Sequence, residues 1–247
     1  MLAMNHVQPV PISMCPQLQG LEQFEEDLDY CQIRDMVAPV SVVIEPCPYL
    51  AAIKLDERRI VLDPSLFEDK VGEIYPKALQ YYLFELSNLA QADKIEALFD
   101  RSDRITPDEF VETCERIEHQ SVLNTKKILR RSLPREQWMH YPLIYSTDRF
   151  DLHYLIQQTA GHSLRIWDRY RFLFPEASSY TGTWSSVPED ERRPLMALID
   201  LKGRLSDPDE SIATQANKDY HFLKDYFLSH PNADLRNRLA RRIELLD

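Results

Sequence analysis

Two stretches of the chain carry residue types suited to proton or metal chemistry. Residues 78–90, ALQYYLFELSNLA, place Tyr81, Glu85 and Asn88 on one flank of a helical pattern. Residues 106–129 add Glu115, Glu118 and His119. Two carboxylates in one half-buried cleft have their pKa values driven apart, so that one acts as acid and the other as base. Glu85 with Glu118 or Glu115 would suit glycoside or amide hydrolysis on that principle, with Tyr81, Asn88 and His119 as binding groups. The plainer account is a hydrogen-bonded polar pair inside the fold. A mixed Glu/His metal site is a third arrangement. Glu115 and His119 are four apart on one helix face, and His153 or His162 would have to approach from another element.

A zinc peptidase helix puts two His at i and i+4 with a Glu beside the first. Residues 84–88 read F-E-L-S-N, so Glu85 has that setting. Phe84 cannot ligate, and Asn is a poor zinc ligand, so no metal and no cofactor is expected there. A β-hairpin, then a helix carrying FELSNL, then a helix carrying ERIEH resembles degenerate zincin-like domains of bacterial effector and toxin type, over residues 40–125. The resemblance implies that Glu85 stands at the catalytic glutamate position and Asn88 at the second ligand position. It puts Glu115 or Glu118 at the downstream acidic ligand position, while Phe84 departs from the first. It further implies action through a protein partner, or a metal-independent reaction at Glu85. Two alternatives compete: an active hydrolase using Glu85/Glu118 or a non-standard Glu/His metal site, and a helical adaptor with no catalytic site.

The elements that must position these groups follow from periodicity. Residues 1–17 hold three prolines and little pattern, which predicts a flexible arm. Leu18, Leu21, Phe24 and Leu28 predict a short amphipathic helix with an acidic outer face. Residues 40–44, 51–55 and 59–62 are rich in β-branched side chains and predict a small antiparallel sheet, the last two as a hairpin. Pro76 opens the central helix, whose core side is Leu79, Tyr82, Leu83, Leu86, Leu89 and Ala90, with Gln80, Ser87 and Gln91 opposite. Thr106-Pro107-Asp108-Glu109 reads as a capping box. The next helix has Phe110, Cys114, Ile117, Ser121 and Ile128 inside. Glu118 lies beside that stripe, with Glu115 and His119 further out. One long helix is predicted from Asp148 to about Phe174. A Ser/Thr-rich loop follows, with Trp184 pinned to the core. Further helices are predicted over 192–201, over 208–228 and from 234 to the end. The expected architecture is α+β: a single mainly helical domain over 18–247, with a small N-terminal antiparallel sheet, about 40–62, packed on a central helix.

Composition narrows the partners. A formal net charge of −11 repels nucleic acid and anionic membranes as a whole. Lys126, Lys127, Arg130 and Arg131 complement a helix C-terminus; Arg165 and Arg169 share a face that reads as solvated. Only 5 glycines argue against a glycine-rich phosphate loop. Four cysteines without a CxxC spacing argue against a zinc ribbon or a redox pair. There is no run of 18 apolar residues and no basic start before an apolar stretch. The expected location is the cytoplasm, or outside the cell by a signal-less route. A protein partner is possible on these grounds, and oligomeric state is open.

Overall fold

The computed structural model describes residues 10–11, 18–176 and 187–246. It is a mainly helical α+β structure. Strands β1 (Val10–Pro11), β2 (Ser41–Ile44), β3 (Ala51–Lys54) and β4 (Arg59–Leu62) form one sheet in the order β1-β2-β4-β3. The hairpin is present, with Ala51 opposite Leu62. β2 pairs with β4 in parallel, Val42 opposite Ile60, so the sheet is mixed where antiparallel pairing was expected throughout. The cause is topological: the chain leaves β2, runs to the outer position as β3 and returns between the two as β4. Apart from β1, the predicted N-terminal arm lies outside the described residues.

The chain gathers into two compact units, 1–95 with 120–144, and 96–119 with 145–247. The helix α4 (Pro107–Ser132) contributes to both without a break. Its capping box is formed as predicted. The Thr106 amide donates to Glu109 Oε2 at 2.8 Å, and the Glu109 amide donates to Thr106 Oγ1 at 3.2 Å.

In the first unit, the short helix expected over residues 18–28 is not formed as one helix, and α1 (Leu28–Val37) begins where it was expected to end. Asp27 caps it by accepting from the amides of Asp29 and Tyr30, both at 3.0 Å. Leu28 then points to solvent, and a separate 3-10 turn, Leu21–Phe24, buries Phe24. α2 (Pro76–Leu89) packs on β3, β4 and α1. Gln80, Ser87 and Gln91, predicted to face outward, are buried as well. Segment 120–144 closes over them: Gln80 Oε1 accepts from the Leu143 amide at 3.1 Å, and Gln91 Nε2 donates to Ser121 Oγ at 2.7 Å. The basic end of α4 is also committed to packing. Arg131 holds Asp27 through Nε at 3.0 Å and Nη2 at 2.8 Å, and Lys127 Nζ lies 2.7 Å from Asp29.

In the second unit, the predicted long helix is two. α5 (Phe150–Thr159) ends at Ala160, and α6 (His162–Tyr170) begins after Gly161. Gly161 has φ 76, a left-handed conformation that stops a helix and costs any residue with a Cβ. Asp148 does not cap α5; the cap position is Arg149, whose amide donates to Thr147 Oγ1. Helices α7 (Glu189–Arg204), α8 (Glu210–Leu228) and α9 (Ala233–Glu244) bury a core of Leu152, Leu195, Leu198, Tyr220, Leu239 and Ile243. The buried Glu191 ties α7 to α9, accepting from Arg238 Nε and Arg242 Nε at 2.6 Å each. Trp184 lies outside the described residues. Among the described residues, no helix is long and apolar enough to cross a membrane.

Asp27 does two jobs, as helix cap and as partner of Arg131. Asp27→Ala should lower unfolding free energy by about 1–2 kcal/mol, the usual worth of a cap. Asp27→Asn, which keeps a capping oxygen, should lose less. Urea midpoints of the two variants check this, and equal losses would contradict it.

Candidate functional site

Tyr81, Glu85 and Asn88 sit on α2 in the first unit. Glu85 is 5% exposed, and Asn88 Nδ2 donates to its Oε2 at 3.1 Å. Tyr81 is half-buried, and its phenol is pushed up by burial first and by the Glu85 charge second. Glu85 and Asn88 thus meet as the i,i+3 spacing implies. They are enclosed in the fold rather than set on the wall of an open cleft.

Glu115, Glu118 and His119 sit in the second unit, and their burial runs against the wheel. Glu115 is fully buried and His119 nearly so, while Glu118 is half-buried. The inner arc of α4 is wider than its apolar stripe because α6 supplies polar partners for Glu115, and Thr147, just before α5, supplies one for His119. Glu115 Oε1 accepts from Ser163 Oγ at 2.6 Å and lies 3.0 Å from His162 Nδ1. Both partners stand in the first turn of α6, where the break at Gly161 has turned the chain. On its other edge, His162 Nε2 faces Glu118 Oε2 at 3.6 Å. One ligand-type atom from each of Glu115, Glu118 and His162 lies within 4.8 Å of the others.

Two further histidines line the same pocket of charge. His153, on α5, is 5% exposed, and its Nε2 has no hydrogen-bond partner. It lies 4.0 Å from Glu115 Oε2, which also has none. The His119 ring stacks at 4.5 Å from that of His153, and its Nε2 lies 3.0 Å from the Thr147 carbonyl oxygen. Gly203 on α7 keeps that carbonyl in place: a Cβ there would meet Thr147 Cβ at 2.5 Å. His153 and His162 therefore lie against Glu115, and His119 packs on His153.

The electrostatics separate these groups. Burial lowers His153 to about 3, helped by the charges of His119 and His162, so the ring stays neutral and its approach to Glu115 is not an ion pair. For His162, burial works downward, but the Glu115 hydrogen bond and the Glu118 and Glu115 charges outweigh it and raise it to about 9. Glu118 has a side chain 32% exposed, yet enough protein surrounds it that lost hydration raises it to about 7. The positive charge of His162 opposes that rise, and Glu115 adds to it. The Cys114 thiol is raised by burial and then by Glu118 and Glu115, so it stays protonated and is no nucleophile.

Of the six site residues expected from sequence, the structure joins Glu85 with Asn88 and Glu115 with Glu118. His162 and His153 are the histidines considered for a metal site, and both reach Glu115. Ser163 was missed. Its only signal was Gly161, a rare glycine inside an otherwise helical pattern and so a helix stop. Two carboxylates with imidazole nitrogens suit a divalent ion of the zinc, iron or manganese kind, since carboxylate oxygen and imidazole nitrogen are ligands of intermediate hardness.

In metal-free protein, the His153 ring protons should not shift between about pH 5 and 8, the range in which an ordinary histidine titrates. Depressed histidines subtract stability as pH falls below the unfolded value, so His153 alone would make the fold less stable in mild acid. Proton NMR of His153→Gln against wild type identifies the signal. A midpoint near 6.5 would contradict the burial argument.

No protein-family model, no characterised protein sequence and no solved structure matches this chain.

Proposed function

We propose that the chain is a metal-dependent hydrolase whose centre is the Glu115–Glu118–His162 cluster of the second unit. One observation carries this: three ligand-type side chains from two helices converge within 4.8 Å around a fully buried carboxylate. The 3.6 Å between His162 Nε2 and Glu118 Oε2 is close to the roughly 3.4 Å that separates two ligand atoms held tetrahedrally at about 2.1 Å. Glu115 stands behind His162 on Nδ1, the carboxylate–histidine arrangement that fixes the ring and its tautomer. Ser163 fixes Glu115 in turn. The unpartnered Glu115 Oε2 and His153 Nε2 are costly as they stand, and a positive charge nearby would lower that cost.

A divalent ion held there would supply a Lewis acid and a water made acidic near neutral pH. The protein's own contribution is separable. Glu115, shut off from water, orients His162. Glu118 is reachable from solvent and, with His162 Nε2, would hold the ion. His153 and His119 wall the buried side and exclude water from it.

A second proposal concerns the first unit, where a sheet and hairpin lead into α2 with its enclosed Glu85–Asn88 pair. That order supports a zincin-like core of effector or toxin type kept as a scaffold for a protein partner, with Glu85 in a structural role.

Titration calorimetry with Zn²⁺ and Mn²⁺ should give one site per chain. Ser163→Ala, which frees Glu115, should weaken it by about 10–100-fold. Glu118→Gln and His162→Asn should lower hydrolysis of a model-substrate panel by about 100-fold or more with helicity unchanged. Glu85→Gln should keep both binding and activity. Metal binding untouched by Glu118→Gln and His162→Asn would sink the assignment, and activity lost in a folded Glu85→Gln protein would move the centre to α2.

A further inference from the structure

We infer that the cluster takes a phosphate-bearing substrate gripped by Arg165 and Arg169 of α6, an assignment that rests on the hydrolase proposal above and gives it a substrate class. At about 100° per residue, His162, Arg165 and Arg169 fall within an arc of roughly 60° on α6. Asp168 lies about 120° from His162 on the same count, off that face. Arg165 and Arg169 are exposed. Neither closes an ion pair among the described residues, whereas Arg116 on α4 is held by Glu112 at 2.8 Å. Arg165 spends one N–H on the Ala160 carbonyl at 3.4 Å, and Arg169 rests its guanidinium 5.3 Å from the Tyr170 ring. A guanidinium has five N–H donors, so most of this capacity is unspent.

Arg165 stands three residues and Arg169 seven residues after His162 on the same helix, about one and two turns along its arc. Two carboxylates alone would repel an anion. The two guanidiniums reverse that at the exposed side, where Glu118 opens to solvent. Four residues apart, they are spaced by about 6 Å along the helix axis. A tetrahedral phosphoryl group can accept from both at once and still present an oxygen to the cluster, a demand that planar, forked guanidinium donors meet well. The reaction is ester hydrolysis. Water oxygen bonds to phosphorus, the ester P–O bond breaks, one water proton goes to the alcohol, and the other stays on the phosphate.

The test is calorimetric titration of inorganic phosphate into the full chain at about 50 mM salt, where exposed charges are weakly screened, with and without Mn²⁺. Acetate serves as a non-phosphoryl anion, and the Arg165→Gln/Arg169→Gln protein as comparison. Wild type should bind phosphate in preference to acetate. The double variant should lose at least about tenfold in phosphate affinity, as expected for charge-assisted contacts, without weakening Mn²⁺ binding. Equal phosphate binding by the double variant, or no preference over acetate, overturns the substrate class. If Mn²⁺ binds and phosphate does not, the substrate class falls and the hydrolase proposal stands. If phosphate binds through the two arginines and no metal binds, the anion site stands and the metal centre falls.

Discussion

A carboxylate with no access to water governs the second unit. Glu115 is fully buried, and a carboxyl group so placed must be met by hydrogen-bonding partners. Ser163 and His162 meet one of its oxygens, at 2.6 and 3.0 Å. Both are available because Gly161 ends α5 and lets α6 start in a new direction. Had 148–174 been one helix, residues 162 and 163 would continue the face set by α5. The backbone conformation of one glycine thus reaches through two side chains to Glu115, through Glu115 to the orientation of His162, and so to what faces Glu118.

Both units bury polar groups. On α2, Gln80 and Gln91 are tied to segment 120–144, and Asn88 to Glu85 three residues before it. Such bonds satisfy groups that burial would otherwise leave costly, and they specify packing. Satisfaction is incomplete in both places: Ser87 Oγ and Asn88 Oδ1 lack partners on α2, and beside Glu115 one carboxylate oxygen and one imidazole nitrogen lie 4.0 Å apart without partners. What sets α4 and α6 apart is convergence: Glu115, Glu118 and His162 bring three ligand-type atoms within 4.8 Å of one another, which is why the chemistry is assigned there rather than to α2.

Much of the fold could be read from residue order. The hairpin, the start of α2 at Pro76 and the Thr106–Glu109 capping box rest on local rules and appear where those rules put them. The parallel pairing of β2 with β4 does not, because strand order depends on where β3 goes and no local pattern records that. The site was legible in residue type more than in position. Glu115, Glu118, His153 and His162 stand out as potential ligands. The helical wheel nonetheless ranked Glu118 as the most buried, since it measures distance from an apolar stripe and cannot see a polar partner on another helix. Ser163 has no signature of its own. The basic end of α4 followed the bland expectation of helix-end charge, with the added specificity of Arg131 on Asp27.

Charge completes the picture of the exposed side. The chain carries −11 overall, and the cluster adds two carboxylates, yet α6 sets two uncommitted arginines on the same arc as His162. The metal centre itself is tested most directly by anomalous diffraction from crystals of the full chain loaded with Zn²⁺. One strong peak is predicted within about 2.0–2.2 Å of Glu118 oxygen and His162 nitrogen, with Glu115 beside them. A zinc peak bound elsewhere, or none at this cluster, would contradict the account.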